Sequence, residues 1–262
     1  MLKEFFENEG IFCYRELSVS DLTVNDEAKF QRIEEKMGRI ESAVIFLIPY
    51  FVGQKTTNLS VYAQVKDYHR YVRELEDRFS RYCKEKKEEL SFHILADTSP
   101  LDERRAALSA GLGVMGKNGL IQNERYGSLF FIGEMLLSRA FSPEKALPPR
   151  ECCGCGACLA ACPTGAVEDP QRRLCLSMIS QKKVLTPEEE ALFSRADCKW
   201  GCDLCQNACP ANLGAEMSPI PFFWEDRVDF LSEEVISSPK EEFQKRAFSW
   251  RGRSVLRRNL KK

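Results

Sequence analysis

Apolar and polar residues fall in blocks along this chain. Ser42 to Pro49 (SAVIFLIP) is an unbroken apolar, β-branched run, the pattern of a buried strand. From Val65 the apolar residues recur as Val65, Tyr68, Val72, Leu75, Phe79 and Tyr82, with charged residues between them. Steps of three and four define one helix face, so a long amphipathic helix covering a sheet is predicted here. Ser91 to Ala96 predicts a second strand, and Ser128 to Leu137 contains a third. Helices are predicted at residues 2–9, stopped by Gly10, and at 25–37 with Asn25 as N-cap. Ser99-Pro100-Leu101-Asp102 reads as another helix start, running to about Ala110. Ser99 would cap it, Pro100 would take the first position where its missing N–H costs nothing, and Asp102 would favour the positive end. Strands alternating with helices predict an α/β fold.

The Pro-rich stretch Ser142 to Arg150 is the natural boundary. It predicts an α/β domain over residues 1–148, a cysteine-rich domain over 149–217 and a short helical tail over 218–262. A chain of 262 residues has room for this. Lys and Arg total 38 against 39 Asp and Glu, a net charge of −1, which excludes bulk electrostatic attraction as the basis of nucleic-acid binding. No apolar run approaches the roughly 18–20 residues of a membrane span. The start, MLKEFFENEG, is acidic and lacks a signal-peptide core or twin arginines, so a cytoplasmic protein without membrane attachment is expected.

Cysteine placement changes the picture most. Of twelve cysteines, ten lie between Cys152 and Cys209. A disulfide framework belongs to small secreted domains, so clustering in a chain of this size points to metal. Cys152-x2-Cys155-x2-Cys158-x3-Cys162-Pro163 matches the bacterial ferredoxin run, in which three thiolates grip one four-iron cluster and the fourth cysteine ligates the other. Cys202-x2-Cys205-x3-Cys209-Pro210 repeats it without the first cysteine, since residue 199 is Lys199. One cluster is therefore expected on Cys152, Cys155, Cys158 and Cys209. The other takes Cys162, Cys202, Cys205 and either Cys175 or Cys198. Cys153 is left over, and Cys13 and Cys83 read as buried small hydrophobes. Two CxxxCP runs are not the spacing of structural zinc.

Some patterns mislead. Gly111-x-Gly113-x-x-Gly116 spells a dinucleotide fingerprint but follows a helix instead of a strand. Cys198-x3-Cys202-x2-Cys205 imitates a radical-SAM triplet, but no barrel-sized segment follows. Asp67-x-His69 imitates a cobalt-ligating histidine motif, but Val72 stands where a glycine is expected, mid-helix.

Ahead of the cysteines lie Ala96-Asp97-Thr98-Ser99-Pro100, Ala110 to Asn118 (AGLGVMGKN) and Gly127 to Glu134 (GSLFFIGE). With Tyr68-His69 and Gly201-Cys202-Asp203-x-Cys205-Gln206, this ordered set resembles the epoxyqueuosine reductase family, which makes the last step of queuosine synthesis in tRNA. The resemblance implies a cobalamin-binding α/β sandwich domain followed by a ferredoxin-like module with two [4Fe-4S] clusters. It implies base-off cobalamin with no protein histidine on cobalt; the chain's only histidines are His69 and His93. An external donor of flavodoxin or ferredoxin type would supply electrons. The substrate would be tRNA or a queuosine-precursor nucleoside, and the protein a monomer. The family's general acid falls on Asp97, and Cys175 becomes the eighth cluster ligand. Asp97 also sits where a strand ends and a helix begins, a place where α/β sites collect, although capping the next helix would equally explain an aspartate there. Gly113 and Gly116 would let backbone approach a flat cofactor, with Lys117 and Asn118 as further contacts.

The family usually continues past an Arg-Asn pair into a helical-repeat domain that helps hold tRNA. Here Arg258-Asn259 is present, and Leu260, Lys261 and Lys262 follow it. Residues 245–262 hold eight basic residues and no acidic one, the composition of either a phosphate-contacting patch or a solvated helix. Competing readings are a reductive dehalogenase, which shares the cofactor architecture, a ferredoxin-type electron carrier, and an activator of a partner's corrinoid.

Overall fold

A computed structural model describes residues Met1–Lys262. In chain order the elements are α1 (Leu2–Asn8), β1 (Tyr14–Ser18), α2 (Glu27–Met37), β2 (Ser42–Pro49), α3 (Val61–Gln64), α4 (Tyr68–Lys86), β3 (Phe92–Leu95), α5 (Glu103–Ser109), β4 (Val114–Met115), β5 (Ile121–Gln122) and β6 (Phe130–Leu137). Helices α6 (Ala157–Ala160), α7 (Leu176–Gln181), α8 (Pro187–Phe193), α9 (Leu204–Asn207), α10 (Glu233–Ser237), α11 (Lys240–Phe243) and α12 (Arg253–Leu260) follow. The chain divides into two units. The first holds residues 1–49, 68–116 and 120–152; the second holds 50–67, 117–119 and 153–262. No helix is long and apolar enough to cross a membrane.

The first unit is an α/β sandwich. Its sheet has the order β1-β2-β6-β3 with every neighbouring pair antiparallel. All eight residues of β2 are buried, as its unbroken apolar run predicts. On one face, Phe6 of α1 meets Phe46 of β2, and Phe5 of α1 meets Phe79 of α4. On the other, Ile45, Leu47 and Leu95 pack with Ala106 and Ala107 of α5 and with Phe30, Ile33 and Met37 of α2. Each fully buried Leu, Ile or Phe contributes about 1.5–3 kcal/mol relative to exposure.

Three helix starts differ from the sequence reading. Helix α2 is capped by Asp26 instead of Asn25: the Asp26 carboxylate accepts from Lys29 N at 2.9 Å, while the N–H groups of both residues donate to Pro100 O. Helix α4 begins at Tyr68; Lys66 and Asp67 are held extended by backbone pairing with Arg246 and Lys245. Ser99 does not cap α5. Pro100 O accepts from Asn25 and Asp26, Leu101 pairs with Val24, and the helix starts only after Asp102, which accepts from Arg105 N at 3.1 Å. Strand β1 was unannounced because Glu16 interrupts its apolar pattern. Glu16 is buried, taking hydrogen bonds from Ser42 Oγ (2.6 Å) and the N–H groups of Phe141 and Ser142.

In the second unit the cysteine segment shares its cores with flanking chain. Trp200 is fully buried among Leu59, Ala63, Leu231, Ile236, Phe248 and Leu256. The tail 218–262 thus forms one unit with the cysteines, and residues 50–67 join it. Buried Asp203 accepts from Val61 N (2.7 Å) and Thr56 Oγ1 (2.8 Å), and Ser60 N donates to Trp200 O (2.9 Å).

The Arg258-Asn259 pair is a clasp. Asn259 is fully buried, and its Nδ2 donates to Ser180 O and Lys199 O, both at 2.8 Å. Arg258 donates to Lys182 O (2.7 Å), Lys183 O (3.0 Å) and Asn259 Oδ1 (2.7 Å). Asn259→Ala strands two inward-facing carbonyls, so it is expected to destabilise this unit by about 2–4 kcal/mol. All three tryptophans lie in the second unit, so a lower urea midpoint by tryptophan fluorescence checks this directly.

Candidate active site and cluster ligands

Strand β3 ends at Leu95, and Asp97 lies in the loop leading to α5. Asp97 is exposed and adopts φ +61°, the left-handed region, which costs a non-glycine residue about 1–3 kcal/mol. Four elements hold it there. From α4, Tyr68 Oη donates to Asp97 Oδ2 at 2.9 Å. The Tyr68 ring is stacked on Phe131 of β6, with centroids 3.9 Å apart, and lies against His69 at 4.1 Å. From α2, Lys29 Nζ donates to Thr98 O. From β6, the Glu134 carboxyl hydrogen-bonds Ser99 Oγ, which also accepts from Leu101 N at 3.0 Å. From α5, the Glu103 side chain lies against the loop, with its Oε1 shielded from solvent and unpartnered.

Two of these carboxyls are poor anions. Glu134 is fully buried in the sheet, and its Oε1 has no hydrogen-bond partner. Burial pushes it up to about 8 against the Ser99 hydrogen bond, with the charges of Glu103 and Asp102 adding to the rise. Burial, then the Asp97 charge, pushes Glu103 up to about 7, opposed by the Asp97 and Ser99 N–H groups and by His69. Glu103 and Ser99 escaped the sequence reading as site residues, and Glu134 entered it only as part of a motif. The available signal was a glutamate inside the apolar run that forms β6.

The glycine-rich segment behaves differently from expectation. Gly113 has ordinary backbone angles and backs onto β5: a Cβ there would sit 2.6 Å from both Gln122 O and Ile121 Cγ2. Its missing side chain is used by the β4–β5 hairpin, not by a cofactor. Gly116 is buried, with its N–H donated to Leu120 O. At the hairpin tip Lys117 is exposed, whereas Asn118 is buried at 2% exposure, so Asn118 is no solvated loop residue. Both histidines are engaged: His93 Nδ1 lies 2.7 Å from Glu76 Oε1, and His69 packs on Tyr68.

All twelve cysteines are free thiols. Cys162, Cys175, Cys202 and Cys205 line one small cavity together with Pro163, Thr164 and Arg172. Burial, then the neighbouring Cys202, Cys175 and Cys162 charges, pushes the Cys205 thiol up to about 11. Burial opposes ionisation of Cys162 too, but hydrogen bonds from the Thr164 hydroxyl and from Thr164, Val167 and Ala166 N–H groups outweigh it and hold this thiol below its usual range. Four thiolates crowded this way repel one another, and a positively charged iron core relieves that repulsion, so the set fits a cluster. Cys198 lies outside this cavity, buried beside Leu176, Ile179 and Phe193, and shares a hydrogen bond with Cys202. Cys152 donates its N–H to Met115 O at 3.0 Å; Cys158 on α6 and Cys209 after α9 are buried, and Cys155 and Cys153 are exposed. No three His, Cys, Asp or Glu side chains converge at single-ion spacing. Cys83 is buried, but Cys13 is only half-buried at the edge of the sheet core.

The basic C-terminal stretch is largely turned to structural use. Arg253 donates to Ile236 O and Ser238 O, Arg257 pairs with Glu233 at 2.7 Å, and Lys245 and Arg246 pair with Asp226. Lys262 pairs with Glu190, and Arg251 lies over the Trp250 ring. That engagement favours the structural reading over a phosphate patch.

A strained aspartate loop on an α/β sandwich and paired ferredoxin-type cysteine runs in the same chain define an iron–sulfur protein. Residues 151–212 match the 4Fe-4S double cluster binding domain. The epoxyqueuosine reductase of Bacillus subtilis (strain 168) is 34% identical over 206 residues, which are 74% of this chain and 52% of that protein. A solved epoxyqueuosine reductase with a tRNA-Tyr epoxyqueuosine-modified tRNA stem loop superposes with TM-score 0.76 and 25% identity, covering 98% of this chain and 78% of that one. The Bacillus subtilis enzyme, solved with an aspartate catalytic loop swung out of its active site, gives TM-score 0.71 and 26% identity over 98% and 79%. The chain belongs to the epoxyqueuosine reductase family and spans about half the length of the curated relatives it matches.

The raised carboxyls make stability pH-dependent. An acid whose folded pKa exceeds its ordinary value of 4.5 contributes full stability below that value and loses it as pH rises through the folded one, here about 7 for Glu103 and about 8 for Glu134. The melting temperature is expected to fall between about pH 5 and about pH 9, and Glu134→Gln to flatten the fall, as circular dichroism melts would show.

Proposed function

We propose that this chain reduces epoxyqueuosine to queuosine, on tRNA or on a smaller precursor nucleoside. The observation that carries the proposal is the Asp97 loop: an exposed aspartate locked at positive φ at the end of β3, in a chain that also has a double-cluster domain. The reaction removes the epoxide oxygen as water and leaves a carbon–carbon double bond. It consumes two electrons and two protons. Asp97 would protonate the departing oxygen, oriented by the Tyr68 hydroxyl and by the fixed loop backbone.

The electrons would enter from an external flavodoxin- or ferredoxin-type donor. One cluster would be held by Cys152, Cys155, Cys158 and Cys209, the other by Cys162, Cys175, Cys202 and Cys205; the shared cavity supports Cys175 over Cys198 for the second. Bound cobalamin would supply a strongly reducing centre able to break a carbon–oxygen bond. Lys117 and Asn118 are the residues proposed to hold it, with Gly116 beside them, while Gly113 faces β5. The engagement of both histidines fits base-off binding. A cytoplasmic monomer remains the expected form. The tRNA stem loop in the related structure supports tRNA as the substrate.

Protein reconstituted anaerobically with iron, sulfide and cobalamin is expected to convert epoxyqueuosine-bearing tRNA with a chemical reductant, and Asp97→Asn to lose about 100-fold or more in kcat. Mass spectrometry of digested tRNA reads both. Failure to bind cobalamin would leave the electron-carrier reading in its place. For the ligands, Cys175→Ser should lose about half the bound iron after reconstitution, whereas Cys198→Ser should retain it.

A further inference from the structure

Two arginines stand side by side between the cysteine runs, and the fold treats them differently. Asp169 organises the turn that carries them. Its carboxylate accepts from Gln171 N (3.2 Å) and Arg173 N (2.9 Å), and its carbonyl accepts from Arg172 N (2.9 Å). Arg173 points outward: its side chain is 74% exposed and pairs with the same Asp169 at 3.0 Å. That pair is complete, and water screens it.

Arg172 points inward. Its backbone sits at φ +50°, the left-handed region that a bulky side chain rarely occupies. Its carbonyl accepts from Cys175 N at 2.9 Å. Its guanidinium donates to Lys117 O at 3.3 Å and lies against Gly119, where an added Cβ would fall 2.9 Å from Arg172 Cζ. A side chain at residue 119 would therefore push the guanidinium away. The Lys117 carbonyl is the one hydrogen-bond partner of this side chain, and no carboxylate neutralises it. What Arg172 does face is the cavity of Cys162, Cys175, Cys202 and Cys205, whose wall it helps to form. All of these residues belong to the second unit.

We propose that Arg172 tunes the cluster held by these four cysteines, raising its reduction potential so that an external donor can load it. The inference rests on the ligand set given above and deepens the reductase reading. A four-iron cluster on four thiolates is an anion in both states and gains one more negative charge on reduction. A cation at its edge therefore stabilises the reduced form more than the oxidised one. One electron passes from the donor to the cluster, and no bond forms or breaks. The left-handed backbone at Arg172 and the bare backbone at Gly119 both serve to keep an unneutralised cation at this cavity.

A redox titration followed by electron paramagnetic resonance tests this on the full-length protein, reconstituted anaerobically with iron and sulfide. It needs neither cobalamin nor tRNA. Wild type should give two half-potentials. Arg172→Gln should weaken one of the two reduction equilibria about tenfold, which is about 59 mV for one electron, and leave the other in place. Arg172→Lys, which keeps the charge, should recover most of the shift. Arg173→Gln removes the same charge from the exposed neighbour and should move neither, because solvent and salt screen it. Unchanged half-potentials in Arg172→Gln, or an equal shift in Arg173→Gln, overturn the proposal. So does loss of one cluster, read as half the iron, from either Arg172 variant, since the side chain would then serve assembly. Wild type that takes up only one cluster would sink the ligand set, and the proposal with it. A titration as expected in a protein that leaves epoxyqueuosine untouched would sink the reductase reading alone.

Discussion

A carboxyl group inside a sheet must find a partner or stay neutral, and the Glu134 side chain meets both conditions in the centre of β6. Its one hydrogen bond, to Ser99 Oγ, draws the β3–α5 loop down onto the sheet. That contact removes Ser99 from helix capping and leaves Asp102 to cap α5. It also places Asp97 at the turn, where the chain reverses in a left-handed conformation. The Asp97 loop is thus a consequence of how a buried carboxyl is managed, with Tyr68 and Lys29 bracing the same few residues from two other elements.

The cysteine module depends on a different economy. Its helices are four to seven residues long, too short to be stable alone. They are held by cores built from flanking chain, with Trp200 at the centre of one and Phe193 in another. The Arg258-Asn259 pair closes this arrangement through backbone carbonyls of the cysteine segment.

Periodicity made β2, α4 and the α/β layering legible, because burial on one or both faces leaves a direct mark on residue order. Cysteine spacing did the same for the two runs, since the geometry of a cluster is local. The eighth ligand was not local, and only the gathering of Cys175 with Cys162, Cys202 and Cys205 separates it from Cys198. Gly113 misled because a glycine required by close strand packing looks the same in sequence as one that opens a cofactor cradle. Glu103 was hidden for a simpler reason: an acidic residue in the first turn of a helix is ordinary, and only the shielding of its carboxyl makes it unusual.

Residues 50–67 belong to the unit whose remaining chain lies mostly beyond residue 153. On the ribosome this segment emerges well before Trp200 and Asp203, the groups that will pair with Ser60 and Val61; Val61 and Asp203 are 142 residues apart. Through that interval buried-to-be Leu59, Val61 and Ala63 have no native cover. The first unit can close its sheet once β6 is made, but the second must wait for nearly the whole chain. Vectorial synthesis therefore makes cluster insertion a late event, and a cell short of iron would be left with a folded first unit and a second one still missing its metal.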